Sequence, residues 1–167
     1  MDQELVERAR TLLDLCRTKG LTIAAAESCT GGLLAATLTE IAGSSDVFER
    51  GFVTYSNEAK QAMVGVTSAT LASHGAVSRE TAEAMASGAL AHAPVHLAVS
   101  ITGIAGPGGA VPGKPVGLVH LHAETPEAGH GIEFGFPSDR ETVRSRATVA
   151  ALHLLRRLLS QNPDIRV

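Results

Sequence analysis

Between residues 21 and 43 an apolar run, LTIAAA, passes with no spacer into the polar group ESCTGG. It then enters LLAATLTEIAG, whose apolar residues keep helical spacing up to Gly43. A buried strand that feeds a polar turn and then a helix is the building unit of α/β domains, and the rest of the chain keeps the alternation. Leu5, Ala9, Leu12, Leu13 and Cys16 recur at three- and four-residue steps, which predicts an amphipathic helix over Glu4 to Thr18 that ends at Gly20. VFERGFVTYS predicts a second strand, in which Gly51 marks a bulge or a close backbone approach. Ser56 or Asn57 caps a short helix through NEAKQAMVG, and Ser78 caps a longer one over RETAEAMASGALAHA that Pro94 terminates. HLAVSIT is a further buried strand. VGLVHLHAE and IEFGFP alternate as strands do on either side of a turn-rich TPEAGHG. Ser138 and Glu141 have the spacing of a capping box opening a last helix from about Asp139 to Ser160. Two successive strands with no helix between them call for an antiparallel pair. The expected fold class is therefore α/β: a single domain over residues 1–167, with a mixed central β-sheet covered by helices on both faces.

Composition narrows the function classes. A length of 167 residues suits one domain with one core. Aromatic residues make up 3% with no Trp, and the net charge is −3. The chain thus lacks both the stacking platforms and the basic face that nucleic-acid partners require. No apolar run approaches the roughly 18–20 residues needed to span a bilayer, so no membrane partner is expected. Cys16 and Cys29 are too few for a disulfide framework and no signal peptide opens the chain, which points to a reducing cytoplasm.

Chemistry concentrates where the first strand meets its helix. Ser28 there projects from the sheet edge, and the N–H groups of Thr30, Gly31 and Gly32 have no intrahelical acceptors. Two readings stay open: Ser28 or Thr30 is an N-cap, or Ser28 is a nucleophile whose neighbouring amides hold an anion or a developing oxyanion. The paired glycines favour close approach of a ligand. Neither a G-x-S-x-G elbow nor an S-x-x-K run is present. A base is offered instead by Lys60, which follows Tyr55, the only tyrosine, because a lysine removed from water loses affinity for its proton. Taken alone, a lysine on a short helix is more often a solvated residue. Cys29 is a rival nucleophile, acidified at a helix N-terminus, or else a small buried apolar residue. Glu27 orients a base, recognises a substrate donor, or compensates the helix dipole.

TGIAGPGGAVPGKP follows a buried strand, where α/β folds place ligand sites. Gly108, Gly113 and Lys114 imitate a P-loop, but Pro115 stands where a magnesium-binding Ser or Thr belongs. His120 and His122 share one side of a strand without a third ligand at a recognisable spacing, and Pro94 interrupts His92 and His96, so no metal is expected. Arg140, Arg144 and Arg146 are candidates for clamping a phosphate.

ESCTGG, GFVTYSNEAK, HGAVSRETAEAMA, TGIAGPGG and the closing SDRETVRSRATVAALHLL, in this order and over nearly the whole chain, resemble the C-terminal domain of the CinA family. The resemblance implies hydrolysis of the carboxamide of nicotinamide mononucleotide (NMN) to nicotinate mononucleotide and ammonia, in pyridine-nucleotide salvage. It implies Ser28 as nucleophile with Lys60 and Tyr55. On this reading substrate binding is expected from Glu27, Thr30, Gly31, Gly32 and Asn57, from the loop residues Thr102, Gly103 and Gly106, and from Arg140 and Arg144. No cofactor or metal is carried over, since the ADP-ribose activity and metal of some CinA proteins belong to a further N-terminal domain. The expected partner is a small molecule, and a homodimer is compatible with the sequence. Two alternatives stand beside this reading: a catalytically silent nucleotide-binding module, and an amidase for another carboxamide.

Overall fold

The computed structural model describes residues 1–165. Helix α1 (Gln3–Lys19) buries Leu5, Ala9, Leu12, Leu13 and Cys16 along one face, as the periodicity predicts, and closes at Gly20. Strand β1 (Ile23–Glu27) is buried at all five positions. It leads through residues 28–32 into α2 (Leu33–Thr39). After a 3-10 turn at Ser44–Asp46 come β2 (Phe48–Val53), α3 (Asn57–Val64), α4 (Ser68–His74) and α5 (Arg79–His92). The chain ends with β3 (Leu97–Gly103), β4 (Leu118–Glu124), β5 (Gly129–Gly135) and α6 (Arg140–Gln161).

The five strands form one sheet in the order β2-β1-β3-β4-β5. β1 pairs in parallel with β2 and β3, whereas β4 is antiparallel to both β3 and β5. This is the expected mixed α/β sheet. Helices α1, α2 and α6 pack with Ile23, Val99, Ile101 and Leu121 on one face. Helices α3 and α5 cover the other, where Ala26 and Ala98 meet Val64, Met85 and Ala89, and α4 packs on α5. Among the described residues no helix is long and apolar enough to cross a membrane.

Topology sets the position of the site. Because β1, β2 and β3 run in parallel, with Glu27 opposite both Val53 and Ile101, their carboxyl ends emerge at one edge of the sheet. Helix α3 is brought to the same edge by an unusually close helix contact. A Cβ on Gly88 of α5 would lie 1.8 Å from the Val64 carbonyl oxygen, so only glycine lets the end of α3 seat directly on α5.

Local differences from the sequence reading have physical causes. Helix α4 has no buried residue, so no apolar period announces it; its start is set by Thr67, whose hydroxyl accepts from the Thr70 N–H. β5 begins at Gly129, inside the segment expected to be a turn, because its backbone pairs with β4 from Glu124 onward without needing apolar side chains. The cap of α6 is Asp139, not Ser138: its carboxylate accepts from the Thr142 N–H at 2.8 Å. A carboxylate there also meets the positive end of the helix dipole, which a hydroxyl cannot match. Asp139→Ala is therefore expected to lower the urea unfolding midpoint, whereas Ser138→Ala leaves it nearly unchanged.

Candidate active site

The turn between β1 and α2 is shaped from inside. Glu27, 1% exposed, directs its carboxylate at the start of α2. One oxygen accepts from the Thr30 hydroxyl at 2.6 Å and from the Gly32 and Leu34 N–H groups at 3.1 Å. The other accepts from the Ala35 N–H at 2.8 Å. Gly31 and Gly32 have φ of 59° and 97°, a region that side chains disfavour. A Cβ on either would meet neighbours only at ordinary contact distances, 3.8 and 3.6 Å. The positive φ at both positions is by itself a reason for glycine in this turn.

This arrangement changes which amides are free. The Gly31 N–H donates to the Ser28 carbonyl at 2.9 Å and the Gly32 N–H to Glu27, so neither is left for an anion. Among the described residues the N–H groups of Cys29 and Thr30 find no oxygen acceptor.

Lys60 reaches Ser28 from α3. The Ser56 cap accepts from the Ala59 N–H and starts the helix so that Lys60, one turn in, points inward. It is 2% exposed, and its Nζ donates to Ser28 Oγ at 3.0 Å and to the Thr54 carbonyl at 2.7 Å. Among the described residues no carboxylate pairs with it. Burial pulls its pKa below the ordinary 10.5, since an ammonium without water or counter-ion is costly. Cys29 behaves in the opposite sense to the sequence expectation. Burial pushes its thiol up to about 12, so it is a buried neutral thiol and not an acidified nucleophile.

The remaining candidates separate. Tyr55, 59% exposed, accepts through its hydroxyl from Arg140 Nη2 at 2.8 Å and bonds neither Ser28 nor Lys60. Arg140 Nη1 donates to the Gly106 carbonyl, also at 2.8 Å. Arg144 donates to the Thr30 carbonyl at 2.8 Å, and Arg146 lies over the Phe136 ring, so the three arginines do not form one clamp. Thr102 is buried with its hydroxyl on the Ala76 carbonyl, and Asn57 is exposed at the start of α3. A cavity of about 240 Å³ is lined by Ser28, Cys29, Tyr55, Arg140 and the backbone around Gly103 and Gly106. Of the ten expected substrate-binding residues, Gly103, Gly106 and Arg140 line it. A larger cleft of about 750 Å³ runs between α1, β5 and α6, but it has no lysine and its Ser145 bonds no base. Among the described residues no three His, Cys, Asp or Glu side chains converge as metal ligands.

One group escaped the sequence reading. The Thr54 carbonyl carries no signal, because every residue has one. Glu27 as the internal anion of α2 had a signal, a carboxylate closing an otherwise apolar buried run, and it fits the dipole alternative best.

The profile of the CinA C-terminal domain matches residues 6–159. The nicotinamide-nucleotide amidohydrolase PncC of Escherichia coli K12 is 49% identical over 163 residues, which cover 96% of this chain and 98% of that one. A longer relative in Caldicellulosiruptor bescii is 45% identical over 157 residues, 94% of this chain, and the chain spans 38% of its length. The crystal structure of the competence/damage inducible protein CihA from Agrobacterium tumefaciens superposes with a TM-score of 0.89 at 46% identity, covering 95% of this chain and 97% of that one.

The depressed pKa of Lys60 links stability to pH. Its unfolded pKa is the higher one, so stability falls as pH drops from 10.5 through the folded value. Lys60→Met keeps the volume and removes the titration. Its stability relative to wild type, measured by urea unfolding, is expected to be most favourable at neutral pH and to decline as pH approaches 10.5.

Proposed function

The chain belongs to the CinA C-terminal domain family, and from that membership and the geometry at Ser28 we propose that it hydrolyses the carboxamide of NMN to nicotinate mononucleotide and ammonia. The observation that carries the reading is the 3.0 Å contact between Ser28 Oγ and a buried lysine that has no counter-ion. A neutral Lys60 keeps donating to the Thr54 carbonyl and turns its lone pair to Ser28. It takes the hydroxyl proton as Oγ bonds to the amide carbon, and the carbonyl electrons move onto oxygen. The Cys29 and Thr30 N–H groups are the donors available to that oxyanion, an interaction worth roughly 3–4 kcal/mol per donor in comparable sites. The lysine then returns the proton to the departing nitrogen, which leaves as ammonia. A water deprotonated by the same amine cleaves the resulting ester and restores Ser28.

Arg140 and Tyr55, at the mouth of the cavity, are assigned to the nucleotide end of the substrate, where a guanidinium suits a phosphate. The whole chain is read as one amidase domain. All groups named come from one copy, and a homodimer is compatible with this. The free thiols Cys16 and Cys29 suit a reducing cytoplasm.

Ammonia release from NMN by the purified protein tests the reading. Release is expected to resist chelator and to fall at least about 1,000-fold in Ser28→Ala. Cys29→Ala, which keeps the backbone N–H, retains activity. Lys60→Arg is inactive because arginine does not give up its proton. kcat/KM should rise with pH along a limb whose midpoint lies below 10.5. A well-folded protein that binds the nucleotide and releases nothing would be a silent module. Release only from a different carboxamide would move the substrate.

A further inference from the structure

Glu27 stands one residue before the nucleophile, yet its carboxylate faces away from the substrate cavity. Glu27 does not line that cavity, and both of its oxygens are engaged by Thr30, Gly32, Leu34 and Ala35. A buried negative charge beside the point where the substrate carbonyl becomes an oxyanion opposes the reaction unless it is neutralised. Here four hydrogen bonds and the positive end of α2 neutralise it.

The same bonds decide which amides remain. Glu27 takes up the Gly32, Leu34 and Ala35 N–H groups, and the Ser28 carbonyl takes up that of Gly31. Cys29 and Thr30 keep theirs free. Thr30 is fully buried and held at both ends. Its hydroxyl is on Glu27 at 2.6 Å, and its carbonyl accepts from Arg144 at 2.8 Å and from the Leu33 N–H at 3.1 Å. The Thr30 carbonyl bonds fix the Thr30–Gly31 peptide, its hydroxyl fixes the side chain, and the Gly31 N–H on the Ser28 carbonyl fixes the Ser28–Cys29 peptide, so the Cys29–Thr30 peptide between them is confined at both ends before any substrate arrives.

We infer that Glu27 is a positioning residue of the amidase: acting through Thr30, it orients the free amides of the nucleophile turn towards the substrate oxyanion. This rests on the serine-amidase reading. It differs from a substrate contact, which would hold the ground state and the transition state alike.

Glu27→Gln puts an NH2 group against donors and disturbs the turn without changing side-chain size. Thr30→Val breaks the same link with the carboxylate left in place, and decides the matter if Glu27→Gln folds poorly. In both, kcat for NMN is expected to fall about 10- to 100-fold, with KM within about 3-fold and the midpoint of the Lys60 limb unmoved. Thr30→Ser, which keeps the hydroxyl, recovers most of the loss seen in Thr30→Val. The rate at which a fluorophosphonate labels Ser28 should fall in the same proportion, a readout that does not depend on NMN being the substrate. A rise in KM at constant kcat would make Glu27 a substrate contact and overturn the inference, as would unchanged or faster turnover and labelling in both variants. Labelled wild-type protein that leaves NMN intact defeats the substrate assignment alone, and the labelling rates still decide the role of Glu27. Wild-type protein that neither hydrolyses NMN nor is labelled at Ser28 overturns the serine reading and this inference with it.

Discussion

A carboxylate buried at the end of the innermost parallel strands organises the site. Glu27 closes β1 and supplies the charge that the exposed amides at the start of α2 need. Helices of this length are marginal alone, since initiating a helix fixes several residues for a single hydrogen bond. An internal anion at the N-terminus offsets part of that cost and ties the helix to the strand before it. The intervening residues have little freedom left, and Ser28 is one of them. The position of Ser28, the proposed nucleophile, follows from satisfying backbone donors, a requirement that would hold in a protein with no catalytic role.

Lys60 is the opposite case, because its placement works against stability. A buried amine without a counter-ion contributes less to the fold than an apolar side chain of the same volume. It is kept at the sheet edge by the Ser56 cap, by the Thr54 carbonyl and by the close packing of α3 on α5 at Gly88. In the proposed mechanism the destabilisation has a chemical use. The desolvation that penalises the ammonium also makes the amine available as a base nearer to neutral pH. Cys29, buried in the same place, shows that desolvation alone does not activate a group. It favours whichever form is neutral: the amine of lysine and the unreactive thiol of cysteine.

The elements with an apolar period were legible, because burial of one face imposes the period directly. Helices α1, α3 and α5 fall within one or two residues of their expected bounds, and β3 and β4 likewise. What escaped was stabilised by backbone or polar contacts that leave no such trace. Helix α4 is exposed, the start of β5 is held by main-chain pairing, and the α6 cap is Asp139, one residue after the expected Ser138. The site divides in the same way. Ser28 and Lys60 were marked as candidates by residue type and place in the chain. The engagement of Gly31 and Gly32, the bond of Tyr55 to Arg140 and the separation of Arg144 from Arg140 depend on which donors and acceptors meet in space.

The sequence by itself determined the α/β alternation, the strand–turn–helix at ESCTGG and the family to which those motifs point, since each depends on neighbours a few residues apart or on their order. Only the tertiary structure decided the state of the groups that matter. Lys60 and Ser28 are 32 residues apart in the chain and 3.0 Å apart in space. The fate of a lysine proton is set by how much water and which charges surround it, a property of the assembled surroundings that no local run of residues contains.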